Sequence, residues 1–245
     1  MESHIVKRKR LVYMDSRPIG VFDSGLGGLT AVKKLMEVLP GEDIIYLGDT
    51  GRVPYGGRSR ETIMKYARQD IAFLRSFDIK AIIAACGTVS TNGLDEIAGE
   101  YDLPVSGVLD PTAKAAVMLT KSGRIGLIGT KASIGSGAYD RRIKDMMPEA
   151  FIVKSACPLF VPMVEEGRIN DGDLALDAVA REYLAPIVEA DVDTLIMGCT
   201  HYPLISPTIQ RIMGPDVKLV DPGEETARAL RERLQTEGLH SGRAA

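Results

Sequence analysis

The chain carries the same two-part pattern twice. Ile19-Gly20-Val21-Phe22-Asp23-Ser24 and Ile125-Gly126-Leu127-Ile128-Gly129-Thr130 are each a short apolar run ending in a small polar residue and a glycine-rich turn. Later in each half comes a second matching run, Ile83-Ala84-Ala85-Cys86 and then Leu195-Ile196-Met197-Gly198-Cys199. Two matching pairs in the same order point to an internal duplication, one half near residues 18–107 and the other near 108–221. Apolar runs this short and rich in β-branched side chains suit strands buried on both faces of a parallel sheet. Candidate strands are Pro18–Phe22, Asp43–Leu47, Ala81–Ala85, Val105–Val108, Arg124–Ile128, Phe151–Ser155, Thr194–Met197 and Val217–Val220. Helical patterns lie between them, at Leu26–Leu39, Arg60–Ser76, Pro111–Thr120, Ala138–Met146 and Asp173–Val188. Such alternation predicts a doubly wound α/β fold with right-handed crossovers. Sheets of this kind present ligands at the carboxyl ends of their strands, so all four repeated ends face a crevice between the halves. The segment after Asp221 reads as a last helix, Glu224–Glu237, packed back on the first half. The expected domains are therefore 1–107 plus 222–245, with 1–17 a tail, and 108–221.

Bulk composition excludes several classes. With 245 residues, 45% of them hydrophobic, the chain can bury a core without disulfides or a structural metal. A net charge of −3 argues against a nucleic-acid partner. The one basic run, Lys7-Arg8-Lys9-Arg10, precedes the first strand and reads as a solvated tail. No apolar stretch suits a membrane span and no signal-peptide pattern opens the chain, so a cytoplasmic protein with no membrane partner is expected. Three cysteines make no disulfide framework, and reduced thiols are available for chemistry.

Cys86 and Cys199 sit at equivalent strand ends of the duplicated pattern, each before what reads as a helix start. A helix N-terminus lowers a thiol's pKa, which favours the thiolate. A lone cysteine is more often a small buried hydrophobe, and Cys157, outside any repeated context, keeps that reading. His201 follows Cys199 by two positions. It reads either as an imidazolium that stabilises the Cys199 thiolate or as a cap of the next helix. No CxxC or HxxxH companion accompanies it, so no metal is expected. The Asp23-Ser24-Gly25-Leu26-Gly27-Gly28 turn lacks G-x-G-x-x-G and offers backbone N–H groups to a carboxylate instead of a dinucleotide. Asp23 itself reads equally as a polarising group and as an N-cap. The Asp49-Thr50-Gly51-Arg52-Val53-Pro54-Tyr55-Gly56-Gly57 loop could wall a cleft, and Thr88, Thr130 and Thr200 recur at strand ends, where each serves a ligand or a cap.

Taken together these stretches resemble the glutamate racemases, of the aspartate/glutamate racemase family. The matching segments are Gly20–Gly28, Gly48-Asp49-Thr50, Val53-Pro54-Tyr55-Gly56, Ala85-Cys86 and Gly198-Cys199-Thr200-His201-Tyr202-Pro203-Leu204, spread in the family's order over most of the chain after residue 17. The resemblance implies two similar doubly wound, flavodoxin-like parallel-sheet domains related by pseudo-two-fold symmetry, with the active site between them. It implies a cofactor-independent homodimer that interconverts L- and D-glutamate and supplies D-glutamate for peptidoglycan. Carried over by motif, Cys86 and Cys199 are the opposed acid and base, with Asp23 and His201 assisting. Ser24, Pro54, Tyr55, Gly56, Thr88, Thr130 and Thr200 contact substrate, together with Asp23 and His201. The stretch Cys157–Glu165 resembles the segment that supplies a further acidic residue, Glu165. One position departs: the family often has Asn after the first cysteine, and here Gly87 offers only its backbone N–H. Aspartate or a hydantoin thus stays open as substrate. Rivals from other classes are a non-catalytic two-lobed amino-acid-binding protein and a metal-dependent hydrolase built on Cys199 and His201.

Overall fold

Residues 14–243 are described here from a computed structural model; the basic run Lys7–Arg10 lies outside them. The first half runs β1 (Ile19–Asp23), α1 (Leu29–Val38), β2 (Ile44–Gly48), α2 (Arg60–Leu74), β3 (Ala81–Ala84), α3 (Gly87–Thr91), α4 (Leu94–Ala98) and β4 (Val105–Gly107). The helix α5 (Leu109–Leu119) leads into the second half: β5 (Arg124–Gly129), α6 (Lys131–Ser136), α7 (Ala138–Met146), β6 (Phe151–Ala156), α8 (Phe160–Glu165) and α9 (Leu174–Glu189). Then come β7 (Thr194–Gly198), α10 (Ser206–Met213), β8 (Lys218–Val220) and α11 (Pro222–Glu237). Every strand expected from the apolar runs forms, within a residue or two. The expected helices form as well. The short α4, α6, α8 and α10 carry too few turns for their periodicity to stand out in the sequence. Where side-chain caps exist they are polar groups just ahead of the helix: Ser59 for α2, Thr130 for α6, Asp173 for α9 and Asp221 for α11 accept hydrogen bonds from backbone N–H groups of the first turn.

Two four-stranded parallel sheets result, with strand orders β2-β1-β3-β4 and β6-β5-β7-β8. The duplication extends to the register. Ile19 pairs with Ile44 and Ala81, and its counterpart Ile125 pairs with Ile152 and Thr194. The matching glycines have one purpose. A Cβ on Gly20 would stand 2.9 Å from Ile79 Cδ1, and one on Gly126 2.7 Å from Ile187 Cγ2, so each lets side chains from the flanking layer press against its sheet. Apolar clusters fill both faces of each sheet. Buried parallel strands require this.

The last helix packs where the sequence places it. Ala227, Leu230 and Leu234 of α11 join Ala31 and Leu35 of α1 over β1 and β3. Below the sheet, Lys80 is fully buried and ion-paired to Glu42. Lys80 also donates to the Asp15 carbonyl at 2.6 Å, and Glu42 accepts from the Ser241 N–H at 2.8 Å. One ion pair therefore ties both ends of the described chain to the first sheet. Glu42→Ala strands the Lys80 ammonium, and its expected cost is about 3–5 kcal/mol. Urea unfolding measures it, and Lys80→Met in the same chain should recover most of the loss.

Candidate active site

The turn between β1 and α1 is built around Asp23. Its carboxylate accepts the Gly25 and Gly28 N–H groups at 3.2 and 3.0 Å, so α1 starts at Leu29 instead of Leu26. Asp23 is thus a turn-former ahead of the helix and not its N-cap. Tyr46 of β2 donates to the Gly25 carbonyl and holds the turn from below, a role no motif suggested. Ser24, next along, turns its hydroxyl to the Cys86 thiol at 3.5 Å.

Cys86 follows β3 and stands at the start of α3, as its sequence position predicts. The next residue lies at the junction between the halves. A Cβ on Gly87 would lie 2.5 Å from the Gly198 carbonyl oxygen, so no larger side chain fits without separating the strand ends. Beside it the Thr88 and Thr130 hydroxyls hydrogen-bond across the crevice at 3.0 Å, while Thr130 also caps α6 through the Ser133 N–H.

Cys199 follows β7, the register equivalent of β3. The chain beyond it is not an α-helix start: a single 3₁₀ turn, Tyr202–Ile205, intervenes before α10, and Pro207 has no N–H with which to continue that turn as one α-helix. His201 does not cap that turn. Its Nδ1 lies 3.7 Å from Cys199 Sγ and its Nε2 3.1 Å from Glu165 Oε1, at the end of α8. With Nε2–H given to Glu165, Nδ1 is left to accept from the thiol. Thr200 links the halves: its hydroxyl lies 3.5 Å from Asp23 Oδ1, and its carbonyl accepts from Thr30 of α1 at 2.9 Å.

These groups meet in a cavity of about 420 Å³. Ser24, Pro54, Tyr55, Gly56, Cys86, Gly87, Thr88, Thr130, Glu165, Cys199, Thr200 and His201 all line it. Asp23 alone of the expected set stands behind the wall, 1% exposed. The sequence did not single out Lys131, which lines the cavity from the first turn of α6, or Val161 and Pro162, which make its apolar side. Cys157 also reaches the wall, but its thiol is spent on the Ser155 carbonyl at 3.6 Å.

The electrostatics correct the sequence reading. A helix start and a neighbouring histidine were expected to lower the thiol pKa values. Burial wins instead and pushes Cys86 up to about 11, with the Asp23 charge adding to the shift. Cys199 is raised further, again mainly by burial. A five-residue α3 has little dipole to set against full desolvation. Asp23 is raised by burial too, against the pull of His201 and its own backbone N–H donors. Both thiols therefore rest protonated in the free protein.

A model of the family described as Asp/Glu/Hydantoin racemase matches residues 28–230. A glutamate racemase of Geobacter metallireducens is 48% identical over 222 residues, covering 91% of this chain and 82% of that protein. The chain belongs to the Asp/Glu/Hydantoin racemase family. Solved racemases share its shape. A glutamate racemase isoform from Bacillus anthracis superposes with a TM-score of 0.87 at 36% identity, over 92% of this chain and 84% of that one. One from Francisella tularensis, solved in complex with D-glutamate, gives 0.86 at 41% identity, over 94% and 86%. The cavity described above lies where strands of both sheets end.

Raised thiol pKa values have a direct consequence. At pH 7.5 iodoacetamide should alkylate Cys86 on the order of a hundredfold more slowly than free cysteine, because so little thiolate is present. The rate should climb with pH toward 11, as read by mass spectrometry of the labelled peptide.

Proposed function

We infer that this chain is a glutamate racemase, an isomerase that interconverts L- and D-glutamate by a two-base reaction at Cys86 and Cys199. One observation carries the assignment of the two bases: these thiols occupy register-equivalent strand ends of the two sheets and line one cavity. Racemisation removes the Cα proton on one face and delivers another to the opposite face. A base fixed to one side cannot do both for a held substrate, and a duplicated fold supplies one thiol per side.

Each thiol has a partner that can take its proton. Asp23 lies close enough to Cys86 to shift its titration, and the His201–Glu165 pair stands beside Cys199. The thiolate formed on one side abstracts the Cα proton, and the thiol on the other side donates its own, so the enzyme ends with the two thiols' protonation exchanged. Negative charge at Cα meets backbone N–H groups at the start of α3 and the hydroxyls of Ser24, Thr88, Thr130 and Thr200. Pro54, Tyr55 and Gly56 form the facing wall. No pyridoxal phosphate takes part in this scheme, in which those N–H groups and hydroxyls supply the stabilisation.

Further parts of the reading follow the family. D-Glutamate made in the cytoplasm would feed peptidoglycan synthesis, the protein would act as a homodimer, and its domains would divide as 1–107 plus 222–245 and 108–221. Among the described residues no helix is long and apolar enough to cross a membrane. Gly87 favours one second reading, an aspartate racemase, since the side-chain contact offered by the family's usual Asn is missing there.

Proton NMR in deuterated water tests substrate and reaction together: L-glutamate should lose its Cα–H signal as the D-enantiomer appears, and aspartate should exchange far more slowly. Cys86→Ala and Cys199→Ala should each lower racemisation by at least about 10³-fold, a loss typical of removing an essential acid or base. Near-native turnover in either variant, followed by circular dichroism from both enantiomers, would overturn the two-base assignment. His201→Asn should lower kcat on the order of a hundredfold with a smaller change in KM.

A further inference from the structure

The loop that walls the cleft is anchored from behind by a cluster the reaction does not touch. The Tyr55 hydroxyl hydrogen-bonds Asp49 Oδ2 at the end of β2 and lies 3.0 Å from Asp70 Oδ2 on α2. Arg52 bridges the two acids, with Nε on Asp49 Oδ2 and Nη2 on Asp70 Oδ1 at 2.7 Å. Gln69 of α2 accepts from Arg52 Nη1, and the guanidinium lies 4.4 Å over the Tyr66 ring. Asp49 and Arg52 after β2, Tyr55 in the loop, and Tyr66 beside Asp70 on α2 are thus the titratable and charged groups that face Asp70.

Two counts lead to the same place. A phenol has one proton and donates once, yet Tyr55 has a carboxylate oxygen on each side. The second contact requires a hydrogen on a carboxyl group. Charge agrees: one guanidinium faces two carboxylates, and a retained proton makes the part-buried cluster neutral. Asp70 is the deeper of the two, its side chain 2% exposed against 12% for Asp49. Burial also pushes Asp70 up to about 6.

We infer that Asp70 is a positioning residue of the racemase, whose carboxylic acid O–H holds Tyr55 and through it the Val53–Gly57 wall of the cleft. The inference rests on the racemase reading of that cleft. The hydrogen bonds run in one direction, from the Asp70 O–H to the Tyr55 oxygen and from the Tyr55 O–H to the Asp49 carboxylate, which Arg52 neutralises. Val53, Pro54, Tyr55, Gly56 and Gly57 all line the cavity. Gly56 abuts the second half so closely that a Cβ there would lie 2.8 Å from Thr130 Cβ. A wall this tightly fitted retains substrate only while its anchor holds.

The sign with pH follows. Asp70 keeps its proton below its raised folded pKa and loses it as pH climbs through that value, leaving Asp49 and Asp70 to repel each other across Tyr55. Between pH 5.5 and 8.5 the wild-type KM for glutamate should rise about 5- to 10-fold beyond any change shared with Asp70→Asn, the scale of one lost hydrogen bond. Asp70→Asn keeps an N–H donor at every pH, so its KM should stay low on the alkaline side and fall below the wild-type value there. Asp70→Ala should show the raised KM at all pH values, with kcat within about twofold of wild type. Wild-type and Asp70→Asn KM profiles that coincide would overturn the inference. So would an unchanged KM in Asp70→Ala. Should the wild type not turn over glutamate, the proposed substrate fails and the anchor is still tested by carbon-13 NMR of labelled aspartate. The carboxyl resonance that vanishes in Asp70→Asn should titrate near pH 6, and titration in the ordinary aspartate range would refute the retained proton.

Discussion

Parallel pairing in one repeated register is the constraint on which the rest of this protein depends. Because β1 pairs with β3 as β5 pairs with β7, the residues that leave these strands emerge at matching heights. Ser24 and Cys86 leave one sheet and Thr130 and Cys199 the other, all toward the same cavity. A slip of one residue in either pairing would exchange the two faces of that strand and move the thiol beyond its end out of level with the other half. Twofold placement of the thiols follows from twofold register.

Close approach at the junction is secured by missing side chains. Gly27 leaves room for His201 and Thr200, Gly56 for Thr130, and Gly87 for the Gly198 carbonyl. Across the spaces these glycines leave, hydroxyls make the joins: Thr30 to the Thr200 carbonyl, Thr88 to Thr130, and Thr200 toward Asp23. Burial at this junction raises both thiols. In the proposed reaction they depend on adjacent acceptors, Asp23 on one side and the His201–Glu165 pair on the other. The wall opposite depends in turn on Tyr55, whose hydroxyl is used by Asp49 and Asp70 and so points away from the reaction.

Much of this architecture is legible in the amino-acid order, for a local reason. Apolar runs such as Thr194–Met197 and matched openings such as Ile19-Gly20 and Ile125-Gly126 report strands directly, since burial on both faces of a sheet demands them. Cys86 and Cys199 could be singled out because duplication makes equivalent positions comparable. Glu165 was reachable only through the family resemblance. Its spacing from His201 has no local meaning, and only the packing of α8 beside the 3₁₀ turn brings them to 3.1 Å. Lys131, Tyr46 and Thr30 carried no signal, being ordinary residues at ordinary element positions.

The sequence by itself determined the strands, their duplication, the α/β class and the two thiols at its strand ends. Only the tertiary structure decided how those thiols ionise, because desolvation depends on every atom that closes over them and outweighs the local helix start. It alone decided which side chains meet around the cleft, since the hydrogen bonds between His201 and Glu165 and between Tyr55 and Asp70 join segments that are remote or separated along the chain. It also decided what Gly87 means: in the chain it is a departure from a motif, and in the fold it is the point where two strand ends meet with no room for a side chain between them.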